Sequence, residues 1–215
     1  MRALIVGAGS YGQVFLEYLE ESGISVAGFL DDDESLRGSE VLGVDVLGSS
    51  ADAILHKGKA DSIFVPIGHN RIRREILNRM RDWGFATPSF IHPSVRLPRS
   101  VIVEEGSYVM QGAEIMPFVS IGRSVIISSG ARIAHHSRIA PGAFASTGVN
   151  LGAAIEVGRD AMLGIGSTVM TGVQRIGEDA TVGAGAVVIR DVEDGQTVVG
   201  NPARPIMYSS SRDAS

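Results

Sequence analysis

Two histidines stand side by side, His135-His136, and beyond residue 95 they are the only imidazoles in the chain. An imidazole near neutral pH can take a proton from an attacking amine or hydroxyl, which is the task of a general base. A surface histidine without further context is more often a bystander, so the pair alone does not decide. There is no cysteine, which removes thiolate nucleophiles, thiolate metal sites and disulfides together. No Ser-His-Asp pattern is present either, so the sequence signals no covalent nucleophile.

A second chemical signal lies at the other end. Leu4-Ile5-Val6 runs into Gly7-Ala8-Gly9-Ser10-Tyr11-Gly12, a Gly-x-Gly-x-x-Gly pattern that lets a helix N-terminus approach a phosphate closely. A dinucleotide and a nucleoside diphosphate satisfy it equally, and nothing downstream resembles the substrate domain of a dehydrogenase. Asp31-Asp32-Asp33 follows the next apolar run and on its own reads as a solvated strand end.

The elements that must position these groups change character along the chain. Up to about residue 90, short apolar runs alternate with helical periodicity, the pattern of a parallel α/β unit. The spacing predicts strands at Leu4–Val6, Val26–Leu30 and Ser62–Ile67, and helices over Gln13–Ser22, Asp52–Lys57 and Arg71–Trp83. Gly23 and Gly84 close two of those helices.

From Val95 onward a six-residue beat replaces the helical one. Aliphatic residues recur at Val103, Val109, Ile115, Ile121, Ile127, Ile133 and Ile139, then at Leu151, Val157, Leu163 and Val169, with Ala145 the weak member. After a one-residue slip around Arg175 the beat resumes at Ile176, Val182 and Val188. Four positions after each aliphatic residue stands a small or aliphatic one. This predicts a parallel β-helix of triangular section, three hexads to a coil, with Gly122, Gly152, Gly158, Gly164, Gly177 and Gly183 at tight corners. The α/β unit is expected to cap one end of it.

With 215 residues, 44% of them hydrophobic, the chain can fill two small cores. A net charge of −5 disfavours a nucleic-acid partner. The opening apolar run is too short for a secretory signal or a membrane span, so a cytoplasmic location without membrane insertion is expected.

The hexad array ending in Val199-Gly200-Asn201-Pro202-Ala203-Arg204 resembles the hexapeptide acyltransferase superfamily. Together with the glycine motif, Phe29-Leu30-Asp31-Asp32 and Ile67-Gly68-His69-Asn70, the resemblance narrows to the two-domain sugar O- and N-acetyltransferases of the sialic acid and bacillosamine, PglD-like type. It covers nearly the whole chain. It implies a Rossmann-like sugar-nucleotide domain over residues 1–90, a left-handed β-helix over 91–208 and a frayed tail at 209–215. It also implies acetyl-CoA as co-substrate, a nucleotide-linked amino sugar as acceptor and a homotrimer with the thioester between neighbouring β-helices.

Residue by residue, the resemblance assigns the base to His135 and the sugar nucleotide to Gly9, Ser10, Tyr11, Asp31, Asp32 and Gly68. Acetyl-CoA falls to Phe144, Ile165 and Ala184. His136 and an oxyanion-binding amide near Gly152-Ala153 are auxiliary. Three departures stand out. Tyr11 replaces a histidine, Phe144 replaces a second histidine, and His136 replaces the acidic partner of the base, for which Glu114 and Glu156 are substitutes from other coils or another subunit. Amine acetylation is preferred over hydroxyl acetylation. A non-catalytic sugar-nucleotide scaffold and a hexapeptide-fold carbonic anhydrase are the rivals, the latter disfavoured because zinc there needs three converging histidines.

Overall fold

The computed structural model describes residues 2–206. Alternation along β1 (Arg2–Val6) sends Ala3 and Ile5 to one side and Leu4 and Val6 to the other. The first pair packs on Phe15, Leu16 and Leu19 of α1 (Ser10–Glu21). The second packs on Ile76, Leu77 and Met80 of α2 (Asn70–Asp82). β2 (Ser25–Leu30), a hairpin of β3 (Glu40–Val41) and β4 (Val44–Asp45), and β5 (Ser62–Phe64) complete the unit. Its parallel sheet has the order β2-β1-β5. The helix expected from Asp52 is a 3-10 turn over Ser50–His56, closed by a Ser49/Asp52 capping box.

At β6 (Phe90–Ile91) the chain enters the β-helix by pairing with Tyr108–Val109. From Ile102 to Val188 each coil lays one two-residue strand on each of three faces. The first face stacks Ile102, Ser120, Arg138, Glu156 and Arg175 outward. Tyr108, Ile126, Phe144, Met162 and Thr181 project from the second, and Glu114, Arg132, Asn150 and Thr168 from the third. The second residue of each strand is the aliphatic hexad residue, and these residues form one continuous core. Ala145 keeps its place in that core, 2% exposed. The slip in the beat is one extra residue in the turn around Gly172, after which Arg175 still pairs with Glu156.

Close stacking explains the corner glycines. A Cβ on Gly152 would lie 2.5 Å from the Thr171 amide nitrogen of the next coil. The left-handed backbone falls two residues later in the corner, on His136 (φ 61°) and Ala154 (φ 58°) for example.

The α/β unit does not cap an end of the solenoid; it roofs the second face. There Phe90, Tyr108 and Ile126 are buried in the same cluster as Phe15 and Phe64. Apolar outward residues occur in a run only on that face, and burying them drives the docking. Tyr108 Oη accepts a hydrogen bond from the Val65 amide at 2.7 Å. Arg73 is fully buried and donates to the carbonyls of Ile67, Ser124 and Gly142 and to Asn70 Oδ1. Asn70 in turn donates to the carbonyls of Asp160 and Ala161. The polar tail expected at 209–215 lies outside the described residues.

Candidate active site

His135 and His136 occupy the corner that follows the third face, both exposed, between Ala134 and Ser137. Their Nδ1 atoms are 3.0 Å apart and their rings are nearly perpendicular. The His136 ring stacks on Phe118 of the coil below, with centroids 4.8 Å apart. The backbone is tied to both neighbouring coils, through His136 N to the Pro117 carbonyl and Ala154 N to the His135 carbonyl. The Ser137 hydroxyl adds a bond to the Gly152 carbonyl and accepts the Ile155 amide. Four hydrogen bonds and one ring stack therefore fix a corner that sequence alone leaves as a loop.

The acidic substitutes for the missing partner lie elsewhere. Glu114 projects from the third face and is 3.6 Å from the Arg132 guanidinium. Glu156 projects from the first face among Arg138, Arg159 and Arg175. Among the described residues neither imidazole pairs with a carboxylate. Gly152 does stack directly above the histidine corner, but its amide already donates to the Val169 carbonyl, and Ala153 N donates to Thr171 Oγ1. A groove of about 340 Å³ climbs beside this corner, lined by Met116, Arg132, Ala134, Asn150, Gly152 and Met170.

Ile165 and Ala184 occupy a different edge of the prism, the corner after the second face. They stack on consecutive coils, Gly185 N donating to the Ile165 carbonyl at 2.8 Å. Ile165 is 63% exposed. The whole third face separates this edge from His135 within one chain. Phe144 lies on neither edge: it projects from the second face beneath the α/β unit, its ring 5.7 Å from the Arg73 guanidinium.

In the α/β unit, Gly9 is the N-cap of α1 and places no side chain over the first turn. The early amides of the helix, with exposed Gly9 and Ser10 beside them, are open to an anion. Gly12 must be glycine, since a Cβ there would lie 1.9 Å from the Gly7 carbonyl oxygen. Asp31 ties this loop down, accepting from Ala8 N and Asp33 N. Asp32 accepts from the Ser50 amide and hydroxyl. Both carboxylates thus hold backbone in place, a role the sequence did not announce.

Tyr11 turns inward toward the solenoid. Its hydroxyl is buried without a hydrogen-bond partner among the described residues. Burial pushes the phenol up to about 12, an effect the nearby Ser128 hydroxyl offsets only in part. Gly68 opens a cleft of about 460 Å³ between the start of α2 and the second face, shared with His69, Arg71, Met162, Asp179 and Thr181. The docking residues Arg73 and Arg74 belong to no motif read from the sequence, and His69 and Asn70 entered only within Ile67-Gly68-His69-Asn70, without a role of their own. A signal was available, because apolar outward positions cluster on a single face of the solenoid.

Residues 2–80 match the PglD N-terminal domain family. The solved structure of a histidine-to-alanine mutant of GDP-perosamine N-acetyl transferase from Caulobacter crescentus, in complex with CoA and GDP-perosamine, is 35% identical to this chain. It covers 97% of this chain and 98% of its own, with a TM-score of 0.91. PerB from Caulobacter crescentus, in complex with the same two ligands, is 35% identical over 96% and 98%, with a TM-score of 0.90. The acetyltransferase domain of PglB from Neisseria gonorrhoeae, in complex with acetyl coenzyme A, is 30% identical over 95% and 98%, with a TM-score of 0.86. No curated protein matches the chain.

Proposed function

Because the chain belongs to the PglD-like sugar acetyltransferases and is an acetyl-CoA-dependent acyltransferase, we propose that it acetylates the amino group of a nucleotide-linked sugar with His135 as general base. The observation that carries this reading is the likeness, over almost the entire length of both chains, to an enzyme that holds CoA and GDP-perosamine together. That one of its solved forms is a histidine mutant fits a histidine at the reacting centre.

The acceptor amine attacks the thioester carbonyl carbon and becomes positively charged on nitrogen. His135 Nε2 takes one of its protons as the tetrahedral intermediate forms. The intermediate collapses, the carbon–sulfur bond breaks, and the departing thiolate recovers the proton from His135. No acyl-enzyme is needed, in keeping with the absence of cysteine.

The open first turn of α1 at Gly9, Ser10 and Tyr11 is suited to the diphosphate, with Asp31 and Asp32 shaping the loop and Gly68 opening the cleft toward the solenoid. Ile165 and Ala184 offer the pantetheine arm exposed backbone. Since His135 is on another edge of the same prism, the thioester and the base meet only when one copy's histidine edge faces another copy's Ile165 edge. A homotrimer supplies that meeting three times over.

The test is thiol release from acetyl-CoA against a panel of nucleotide-linked amino sugars, starting with GDP-perosamine. Release that requires the amino sugar and falls by about 10²–10⁴ in His135→Ala supports the assignment. Release that needs a hydroxyl in place of the amine turns it toward O-acetylation. Binding of both ligands without release, by every panel member, makes the chain a scaffold.

A further inference from the structure

We propose that His136 is the positioning residue for His135, a neutral imidazole standing where a carboxylate would otherwise hold the base; this rests on His135 being the base. With the two Nδ1 atoms 3.0 Å apart, one of them must carry the proton that joins them. A base working through Nε2 needs its Nδ1 protonated. The working arrangement is therefore His135 Nδ1–H donating to His136 Nδ1, with the remaining His136 proton on Nε2.

The ring that accepts is the more firmly held of the two. His136 is in the left-handed backbone region, is bonded through its amide to the coil below, and is stacked on Phe118. Its position is therefore set by the solenoid and it in turn sets the His135 ring. No charged group competes for this part. The coil below presents Met116, Pro117 and Phe118 at the corner, and the coil above Gly152, Ala153 and Ala154, none of them ionisable. On its own coil Arg132 is engaged with Glu114, and Arg138 projects from the first face.

A carboxylate partner is far less basic than imidazole, so the proton between a His–Asp pair stays on the histidine. Two imidazoles have the same intrinsic basicity. When His135 Nε2 takes the substrate proton, the Nδ1 proton can cross to His136 with little driving force either way, leaving the positive charge on the exposed ring. One proton enters the pair, and one leaves it to the thiolate.

Protein labelled with ¹⁵N at histidine and examined by long-range ¹⁵N–¹H correlation tests this without substrate, the two rings being assigned from His135→Ala and His136→Gly. Glycine suits the left-handed position, so the second variant keeps the corner. The expected result is His135 as the Nδ1–H tautomer, His136 as the Nε2–H tautomer, and a change of His135 toward the Nε2–H tautomer in His136→Gly. The opposite tautomers, or a His135 tautomer unchanged in His136→Gly, overturn the proposal.

With acetyl-CoA and GDP-perosamine, His136→Gly is expected to lower kcat on the order of tenfold at unchanged KM for acetyl-CoA. His136→Asp restores turnover and moves the acid limb of kcat/KM up by about one unit or more, because the anion stabilises the imidazolium. Failure of both effects while His135→Ala is inactive sinks the positioning role alone. Turnover surviving in His135→Ala sinks the base itself.

Discussion

Arg74 on α2 grips Asp160 at a corner of the β-helix with two contacts, Nη2 to Oδ2 at 2.6 Å and Nε to Oδ1 at 3.0 Å, and the Asp160 side chain is only 4% exposed. This pair and the neighbouring Arg73 bonds fasten the two halves of the molecule.

Asp160→Asn keeps the left-handed backbone, which asparagine tolerates, and removes the charge. The Arg74 head group retains access to water, so the loss is expected to be about 1–3 kcal/mol rather than the larger figure for a fully buried pair. Chemical denaturation measures it. An unchanged midpoint shows that the grip contributes nothing to the fold.

Tyr11→Phe deletes a buried hydroxyl that makes no well-formed hydrogen bond among the described residues, with only the Ser128 hydroxyl nearby. The variant is expected to be as stable as the parent or more so at neutral pH, by up to about 1–2 kcal/mol. The same group makes the parent sensitive to alkali. A phenol held at about 12 in the fold and near 10 when unfolded binds more protons in the folded state between those values, so it costs the fold nothing extra below pH 10 and destabilises it progressively as pH climbs toward 12. Tyr108, also raised by burial, acts in the same direction, while Arg73, lowered by burial, acts in the opposite one. Melting temperature against pH should therefore decline less steeply above pH 10 in Tyr11→Phe. A parallel decline in both proteins contradicts the assignment.

Gly152→Ala forces a Cβ against the Thr171 amide nitrogen directly above the histidine corner. Overpacking of this kind costs about 1–3 kcal/mol. Both melting temperature and thiol release should fall. Loss of turnover without loss of stability would instead mark Gly152 as a contact of the reacting groups.

How much of this was legible beforehand follows from what each pattern encodes. The solenoid could be read residue by residue, because each aliphatic side chain stacks on its equivalent one coil away and a single misplaced polar residue would lie in the core. Even the slip near Arg175 was visible, and Gly172 absorbs it. The docking of the α/β unit was not read, because Tyr108, Ile126 and Phe144 occupy outward positions, where the six-residue beat places no demand. The contact between His135 and His136 was hidden for another reason. Adjacent side chains in an extended strand diverge, and only the left-handed turn at His136 brings their rings together. Likewise Asp31 and Asp32 read as ligand contacts when each also holds a loop.

Mixing offers the sharpest test of a site shared between copies. Ile165→Arg blocks the thioester edge and, at an exposed position, should leave folding intact; His135→Ala removes the base. Each alone is expected to be nearly inactive. Unfolded together and refolded, the two should recover part of the parental turnover, since some interfaces then join an intact His135 to an intact Ile165 edge. Absence of any recovery argues that each chain works by itself.

Arg73 makes no ion pair among the described residues; its donors go to carbonyl oxygens drawn from both halves, and it is shut away from water. A cation so enclosed cannot be let go and retaken during each catalytic cycle without a heavy penalty. The span from the first turn of α1 to the solenoid is therefore held at a fixed length. On the proposed reading of that turn as the phosphate cradle, selection among acceptors becomes a matter of reach, and a sugar whose nitrogen stands one ring carbon too near or too far arrives at the wrong height for the thioester, whatever its affinity.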